Sequence, residues 1–137
     1  MTEAVSLTGT WYGTYSYPDD WGQPPCLFTA RLVQTGVGFF GSITETVEAE
    51  LALQPNIGAY VEGNLHGVRV SFVKTYDGSG GWGHSVMYDG ELSHDHTEIT
   101  GAWSLFESGQ RFSSSFIMVR RTRGAEAEHR EAVATSV

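Results

Sequence analysis

Eight short runs that alternate apolar with polar residues follow one another along the chain, separated by clusters of turn residues. The runs are rich in aromatic and β-branched residues, which is typical of strands whose successive side chains point to opposite faces. They lie at 6–17, 26–35, 37–48, 58–66, 68–76, 84–92, 97–106 and 111–121. Short links require antiparallel neighbours, and no helical pattern intervenes. The sequence predicts an all-β fold, an eight-stranded antiparallel up-and-down barrel, with a two-sheet sandwich as the alternative.

The chain length predicts a single domain. A chain of 137 residues supports one core and is too short for two ordinary domains. We place this barrel domain at 1–123. From residue 124 the composition turns to Ala and Glu, which predicts a tail at 124–137 that is disordered or forms a short helix. The segment 49–57 stays open between a helical turn, a loop and the start of a strand.

Charge and cysteine content narrow the classes of function. The formal net charge of −8 opposes binding to nucleic acid or to anionic lipid. A single cysteine, Cys26, excludes an intramolecular disulfide and fits a reducing compartment, where we interpret it as a small buried hydrophobe. The sequence shows neither a signal peptide nor an apolar stretch long enough to span a membrane. We expect a cytoplasmic protein with no nucleic-acid or membrane partner.

Two charged residues fall on strand faces that are otherwise apolar. Glu45 alternates in step with Phe39 and Ile43, and Lys74 alternates in step with Phe72. A charge inside a barrel is unfavourable unless it is paired or hydrogen-bonded. Either both residues lie near the barrel mouth, solvated or paired with each other, or they take part in recognition or chemistry.

Aromatic residues on the inward faces predict a small-molecule site inside the barrel. Most such sites are largely apolar and contain a few polar groups, and here Lys74 would supply a charged anchor. The predicted aromatic lining consists of Tyr15, Tyr17, Phe72, Tyr76, Tyr88 and Trp103. The competing interpretation is that these rings are only core.

An enzyme of the isomerase, cyclase or lyase kind is the alternative function. Glu45 or Lys74 would act as base or acid with a pKa shifted by burial, and a tyrosine hydroxyl would orient the substrate. The sequence contains no Gly-x-Ser-x-Gly motif and no phosphate loop, so hydrolase and nucleotide-binding interpretations have no support. Whether catalysis occurs is left open, and no cofactor is indicated.

A histidine pair and a set of outward apolar residues are further candidate sites. His94 and His96 have the spacing of a zinc-binding pair, but they fall in a predicted hairpin turn, so we favour a solvent-facing role and assign no metal. Outward apolar positions predict a homo-oligomer, with a dimer favoured. These positions are Tyr12, Phe40, Met87 and Phe106.

The run Gly9-Thr10-Trp11 on the first strand, together with Arg120 on the last, resembles the signature of the calycin superfamily. The resemblance implies a barrel floor closed by Trp11, with Arg120 lying over its indole in a cation–π contact. This pair implies a structural role and no activity.

Within the calycins the sequence is closer to the avidin and streptavidin family. The similar runs, in the family's order, are 8–12, 70–74, 84–85 and 99–105. The resemblance implies ligand contacts at Trp103 and Phe72, and at Tyr88 in place of a third tryptophan. Ser85, near Tyr88, is a further expected ligand contact. However, Gly13 and Tyr17 replace the asparagine and serine that hold the ureido oxygen of biotin in the family. Because these polar groups are absent, we expect a ligand other than biotin.

Overall fold

The computed structural model describes residues 6–46, 56–78 and 83–121 of the chain. It is a closed barrel of eight antiparallel strands in sequence order. The strands are β1 (Gly9–Tyr15), β2 (Cys26–Thr35), β3 (Gly38–Thr46), β4 (Asn56–His66), β5 (Arg69–Tyr76), β6 (Ser85–Leu92), β7 (Glu98–Glu107) and β8 (Gln110–Arg120). A short 3-10 turn, Asp19–Trp21, follows β1. The predicted barrel and its eight strands are confirmed. The sandwich alternative is wrong because β1 pairs with both β2 and β8.

Two features predicted from the sequence lie wholly or mostly outside the described residues. These are the tail at 124–137 and the segment 49–57 apart from its last two residues, which begin β4.

Burial alternates along the strands and separates a filled interior from the outer face. On β1, Trp11, Gly13 and Tyr15 point inward, and on β5 every second residue from Val70 to Tyr76 is buried. This period of two follows from the pleat of each strand. Inward residues of all eight strands fill the interior. The inward positions predicted for Tyr15 on β1 and for Phe72, Lys74 and Tyr76 on β5 are confirmed.

The floor of the barrel is built where β1 starts and β8 ends. Trp11 is fully buried and donates from its indole Nε1 to the Leu7 carbonyl oxygen at 2.9 Å. The guanidinium carbon of Arg120 lies 4.4 Å from the centroid of the Trp11 ring, which confirms the predicted cation–π contact. Arg120 also donates to the carbonyl oxygens of Ser6, Thr8 and His96. These contacts join the chain segments that close this end of the barrel.

An apolar row crosses the outer face of strands β2 to β6. Val33, Phe40, Val73 and Met87 follow one another in register, with Glu62 between the second and third of them. A groove of about 500 Å³ opens beside this row, towards the floor end. Of the residues predicted to form a subunit interface, Phe40 and Met87 lie in the row, whereas Tyr12 and Phe106 lie on β1 and β7. A homo-oligomer stays a prediction.

Candidate functional site

The two charged residues predicted on apolar faces meet inside the barrel. Glu45 lies one residue before the end of β3, and Lys74 lies two residues before the end of β5. Both therefore point into the half of the barrel opposite the floor, which we call the mouth. The Lys74 Nζ to Glu45 Oε2 distance is 2.6 Å, and the exposed fractions of the two side chains are 1% and 0%. Glu45 and Lys74 are therefore paired with each other near the mouth, and the alternative that water solvates them there is wrong.

Three tyrosine hydroxyls complete the hydrogen bonding of this ion pair. Tyr15 donates to Glu45 Oε1 at 2.8 Å, and Tyr76 donates to both carboxylate oxygens at 3.0 and 2.8 Å. Lys74 donates to the Tyr88 hydroxyl oxygen at 2.9 Å. We call these five residues the buried polar cluster. In the described part of the chain, every buried side-chain nitrogen and oxygen has a hydrogen-bond partner. A buried ion pair is tolerated only with such satisfaction.

The tyrosine rings also face the Lys74 ammonium. Its nitrogen lies 4.5 Å from the centroid of Tyr15, 4.7 Å from that of Tyr76 and 5.1 Å from that of Tyr88. The negative faces of aromatic rings stabilise a cation in a site without water. The rings of all three tyrosines therefore stabilise the ammonium. The hydroxyls of Tyr15 and Tyr76 stabilise the carboxylate, and the Tyr88 hydroxyl oxygen accepts from the ammonium.

Burial changes the acid–base properties of the cluster. Desolvation lowers the pKa of Lys74, and attraction to Glu45 partly offsets this change. Desolvation raises the pKa of Tyr15, Tyr76 and Tyr88 well above the ordinary value, and the negative charge of Glu45 raises these pKa values further. The tyrosines therefore stay protonated at neutral pH and act as hydrogen-bond donors and acceptors.

Cys26 lies against the buried polar cluster. The sequence predicts a small buried hydrophobic residue at this position, and it does not predict this polar contact. Its Sγ is 3.8 Å from Glu45 Oε1. Burial, followed by the charge of Glu45, raises the pKa of the Cys26 thiol from 9.0 to about 12. A thiol with a raised pKa is a poor nucleophile at neutral pH.

The raised thiol pKa predicts a pH-dependent contribution of Cys26 to stability. Because the folded pKa exceeds the unfolded one, this contribution is fully present below pH 9.0 and is lost as the pH rises towards 12. We expect the difference in free energy of unfolding between the wild type and Cys26→Ala to shrink over this range, by up to a few kcal/mol, since one pH unit corresponds to about 1.4 kcal/mol. Urea unfolding of both proteins at a series of pH values measures this difference in free energy of unfolding. A difference that does not change with pH would contradict the raised pKa of the Cys26 thiol.

At the mouth end of the barrel, a second group of aromatic side chains adjoins the buried polar cluster through ring contacts of Tyr17 and Trp103 with Tyr15. Tyr17 packs on Trp21 with ring centroids 5.9 Å apart, and Trp21 packs edge-on against Phe112 at 5.2 Å. Trp103 Nε1 donates to the Ser16 carbonyl oxygen at 2.8 Å, which anchors the segment that follows β1. We call Tyr17, Trp21, Trp103 and Phe112 the mouth aromatics. Trp21 is the most exposed of them at 38%.

The structure brings together most of the residues predicted to line a ligand site. Tyr15, Tyr76, Tyr88 and Lys74 belong to the buried polar cluster, and Tyr17 and Trp103 belong to the mouth aromatics. Phe72 instead lies deeper in the core. It stacks on Tyr88 with centroids 4.7 Å apart and contacts Phe39 and Phe116.

The expectation that Ser85 joins this group is corrected. Ser85 lies exposed on the outer face, where its hydroxyl is 3.0 Å from that of Thr75. Successive side chains of a strand point to opposite faces. Val86 and Tyr88 point inward on β6, so Ser85 points outward. The strand alternation along 85–88 already contained this signal.

The histidine pair lies in a turn with a structural role. The carboxylate of Asp95 accepts hydrogen bonds from the hydroxyls of Ser93 and Thr97, and these bonds lower the pKa of Asp95 to about 2. The turn presents the His96 carbonyl oxygen to Arg120 at 3.1 Å. The residues that the structure describes contain no group of three or more His, Cys, Asp or Glu side chains placed to hold a metal ion.

No protein-family model matches the sequence, and no curated protein matches it either. Over residues 6–46, 56–78 and 83–121, no helix has the length and apolar character needed to cross a membrane.

Proposed function

We propose that this protein binds a small, partly apolar molecule at the mouth of the barrel. The mouth aromatics would contact its apolar part, and a polar group would reach the edge of the buried polar cluster. The observation that carries the proposal is a group of partly exposed aromatic rings at the end of the barrel that holds a buried, hydrogen-bonded ion pair, joined to that pair through the contact of Tyr17 with Tyr15. Small-molecule sites commonly combine an apolar lining with a few placed polar groups.

The proposal predicts a bound molecule whose retention depends on Trp21. We expect native mass spectrometry of the protein from its own source to show a stoichiometric small molecule. Trp21→Ala should raise the Kd of the recovered molecule about tenfold, which corresponds to the loss of about 1.4 kcal/mol of aromatic contact. Phe106→Ala is the matched control, because Phe106 is an exposed ring on β7 and is not among the mouth aromatics. An empty wild-type barrel, or equal Kd values for the two variants, would contradict the proposal.

Catalysis by the same site is the second candidate function, of the isomerase, cyclase or lyase kind. It is favoured by the hydrogen-bonded contact between the half-buried Tyr17 and Tyr15, which in turn donates to Glu45. Buried ionisable pairs of this kind occur often at active sites. Incubating the recovered molecule, or its synthetic precursor, with the protein and following its proton spectrum distinguishes binding from turnover.

We also propose a relationship to the calycin barrels, without biotin as the ligand. The support is the packing of Arg120 over Trp11 beneath a barrel of eight strands. Gly13 supports a ligand different from biotin, because the tip of the Phe28 ring occupies the space where a side chain at position 13 would begin.

A further inference from the structure

A short chain of hydrogen bonds leads from the mouth to the buried ion pair. The hydroxyl of Tyr17 lies 3.3 Å from that of Tyr15, and Tyr15 donates to Glu45 Oε1 at 2.8 Å. Tyr15, Glu45, Lys74, Tyr76 and Tyr88 are all buried, whereas Tyr17 is only partly buried. A molecule arriving from solvent therefore meets this chain first at Tyr17.

The direction of these hydrogen bonds follows from the number of protons available. A tyrosine carries one O–H group, and Tyr15 gives its proton to the Glu45 carboxylate, the stronger acceptor at the shorter distance. Only Tyr17 can then be the donor in its contact with Tyr15. Burial raises the pKa of Tyr17 to about 12, so this proton is present at neutral pH.

The orientation engages the Tyr17 proton with Tyr15 and leaves the Tyr17 hydroxyl oxygen with unused lone pairs. In the part of the chain that the structure describes, no other N–H or O–H group donates to this oxygen. A hydroxyl oxygen accepts through two lone pairs. At the point where a ligand would meet the hydrogen-bonded chain, the protein therefore presents an acceptor.

The charges around the mouth act in the same direction. Asp19 and Asp20 are exposed in the 3-10 turn that carries Trp21. Glu107 lies at the end of β7, and the cationic Arg111 lies at the start of β8. Carboxylates outnumber cations among these residues, and the whole chain has a net charge of −8. Such a field favours cations and disfavours anions.

We infer that the ligand of the mouth presents a hydrogen-bond donor, an O–H or N–H group, to the Tyr17 hydroxyl oxygen, and that it is neutral or cationic. The inference rests on the proposed binding function and specifies its ligand class. Molecules whose polar end is a carboxylate or a phosphate are disfavoured, because they bring acceptors and negative charge to an acceptor in a negative field.

Four aromatic probes of similar size test the inference: phenol, anisole, benzylammonium and benzoate. Chemical shifts of the indole N–H groups of Trp21 and Trp103 report binding in a titration. We expect phenol to bind about fivefold more tightly than its methyl ether, the ratio given by one hydrogen bond of about 1 kcal/mol. We expect benzylammonium to bind more tightly than benzoate. In the Tyr17→Phe variant, phenol and anisole should bind with about equal affinity, and the affinity for anisole should equal that of the wild type.

Tyr60→Phe is the matched control, since Tyr60 is an exposed tyrosine on the outer face of β4, and it should leave every affinity unchanged. Tighter binding of benzoate than of benzylammonium overturns the inference while the binding function stands. The same holds if phenol still binds more tightly than anisole in the Tyr17→Phe variant. If none of the four probes shifts either indole signal, the proposed binding site itself fails, and the inference fails with it.

Discussion

Replacing either charged residue of the buried polar cluster alone is expected to destabilise the protein by about 3–5 kcal/mol. Lys74→Met leaves the Glu45 carboxylate without its cation, and Glu45→Gln leaves the Lys74 ammonium without its anion. Both side chains are almost completely removed from water, so the remaining charge has no solvent to stabilise it. For a domain of this size, such a loss is a large fraction of the total stability.

The double variant Glu45→Gln/Lys74→Met should be more stable than either single variant. It contains no buried charge, and the amide oxygen introduced by Glu45→Gln still accepts hydrogen bonds from Tyr15 and Tyr76. The methionine occupies much of the space of the lysine side chain. Replacing a whole buried ion pair by groups of similar volume is often close to neutral, whereas removing one partner is not.

Urea unfolding of the wild type, both single variants and the double variant forms a double-mutant cycle. The matched control is Asp89→Asn, an isosteric carboxylate-to-amide change on the outer face, where Asp89 accepts from Ser71 at 2.7 Å. We expect this surface substitution to change the free energy of unfolding by no more than about 0.5 kcal/mol. Additive single effects in the double variant would show that Glu45 and Lys74 act independently, contrary to their contact.

The strand alternation accounts for how much of this molecule could be predicted from its sequence. Short links between alternating runs required antiparallel neighbours, and eight of them left closure into a barrel as the arrangement without free edges. The same alternation placed Glu45 and Lys74 inside. The contact of Arg120 with Trp11 follows instead from the resemblance to the calycins, and these two residues pair directly between β1 and β8.

The connections inside the site could not be predicted in the same way. Glu45 and Lys74 are on β3 and β5, which are separated by β4, and the side-chain lengths that let them meet depend on barrel diameter and strand stagger. The approach of Cys26 to Glu45, and of Trp21 to Phe112, depends on where the loops end. The family resemblance misplaces Ser85, because the period of two on β6 directs this side chain to the outer face.

Adding a single methyl group at Gly101 is expected to destabilise the barrel by about 3 kcal/mol, at the upper end of the usual effect of overpacking. A Cβ atom there would lie 2.0 Å from the Asp89 carbonyl oxygen and 2.5 Å from the Gly90 Cα atom. Gly90 and Gly101 pair directly between β6 and β7, so two backbones approach closely at this point. Because the obstructing atoms are backbone, the strands themselves must move.

Gly13→Ala tests the same principle where the obstruction is a side chain. A Cβ atom at position 13 would lie 2.1 Å from the tip of the Phe28 ring, which packs across its register partner. We expect Gly13→Ala to cost about 2 kcal/mol. Phe28→Leu, which removes the ring, should make the double variant less destabilised than the sum of the two single changes. No single side-chain change should relieve Gly101→Ala in this way.

Thermal unfolding of these variants and of Gly83→Ala separates close packing from a general effect of replacing glycine. A Cβ atom at Gly83 meets nothing within 4 Å, so Gly83→Ala should leave stability within about 0.5 kcal/mol of the wild type. If Gly101→Ala behaves like Gly83→Ala, β6 and β7 can separate at little cost. The glycines would then reflect loose strand pairing, and the barrel would not depend on close backbone contact to hold Tyr88 and Trp103, which pair two residues along the same strands, beneath the mouth.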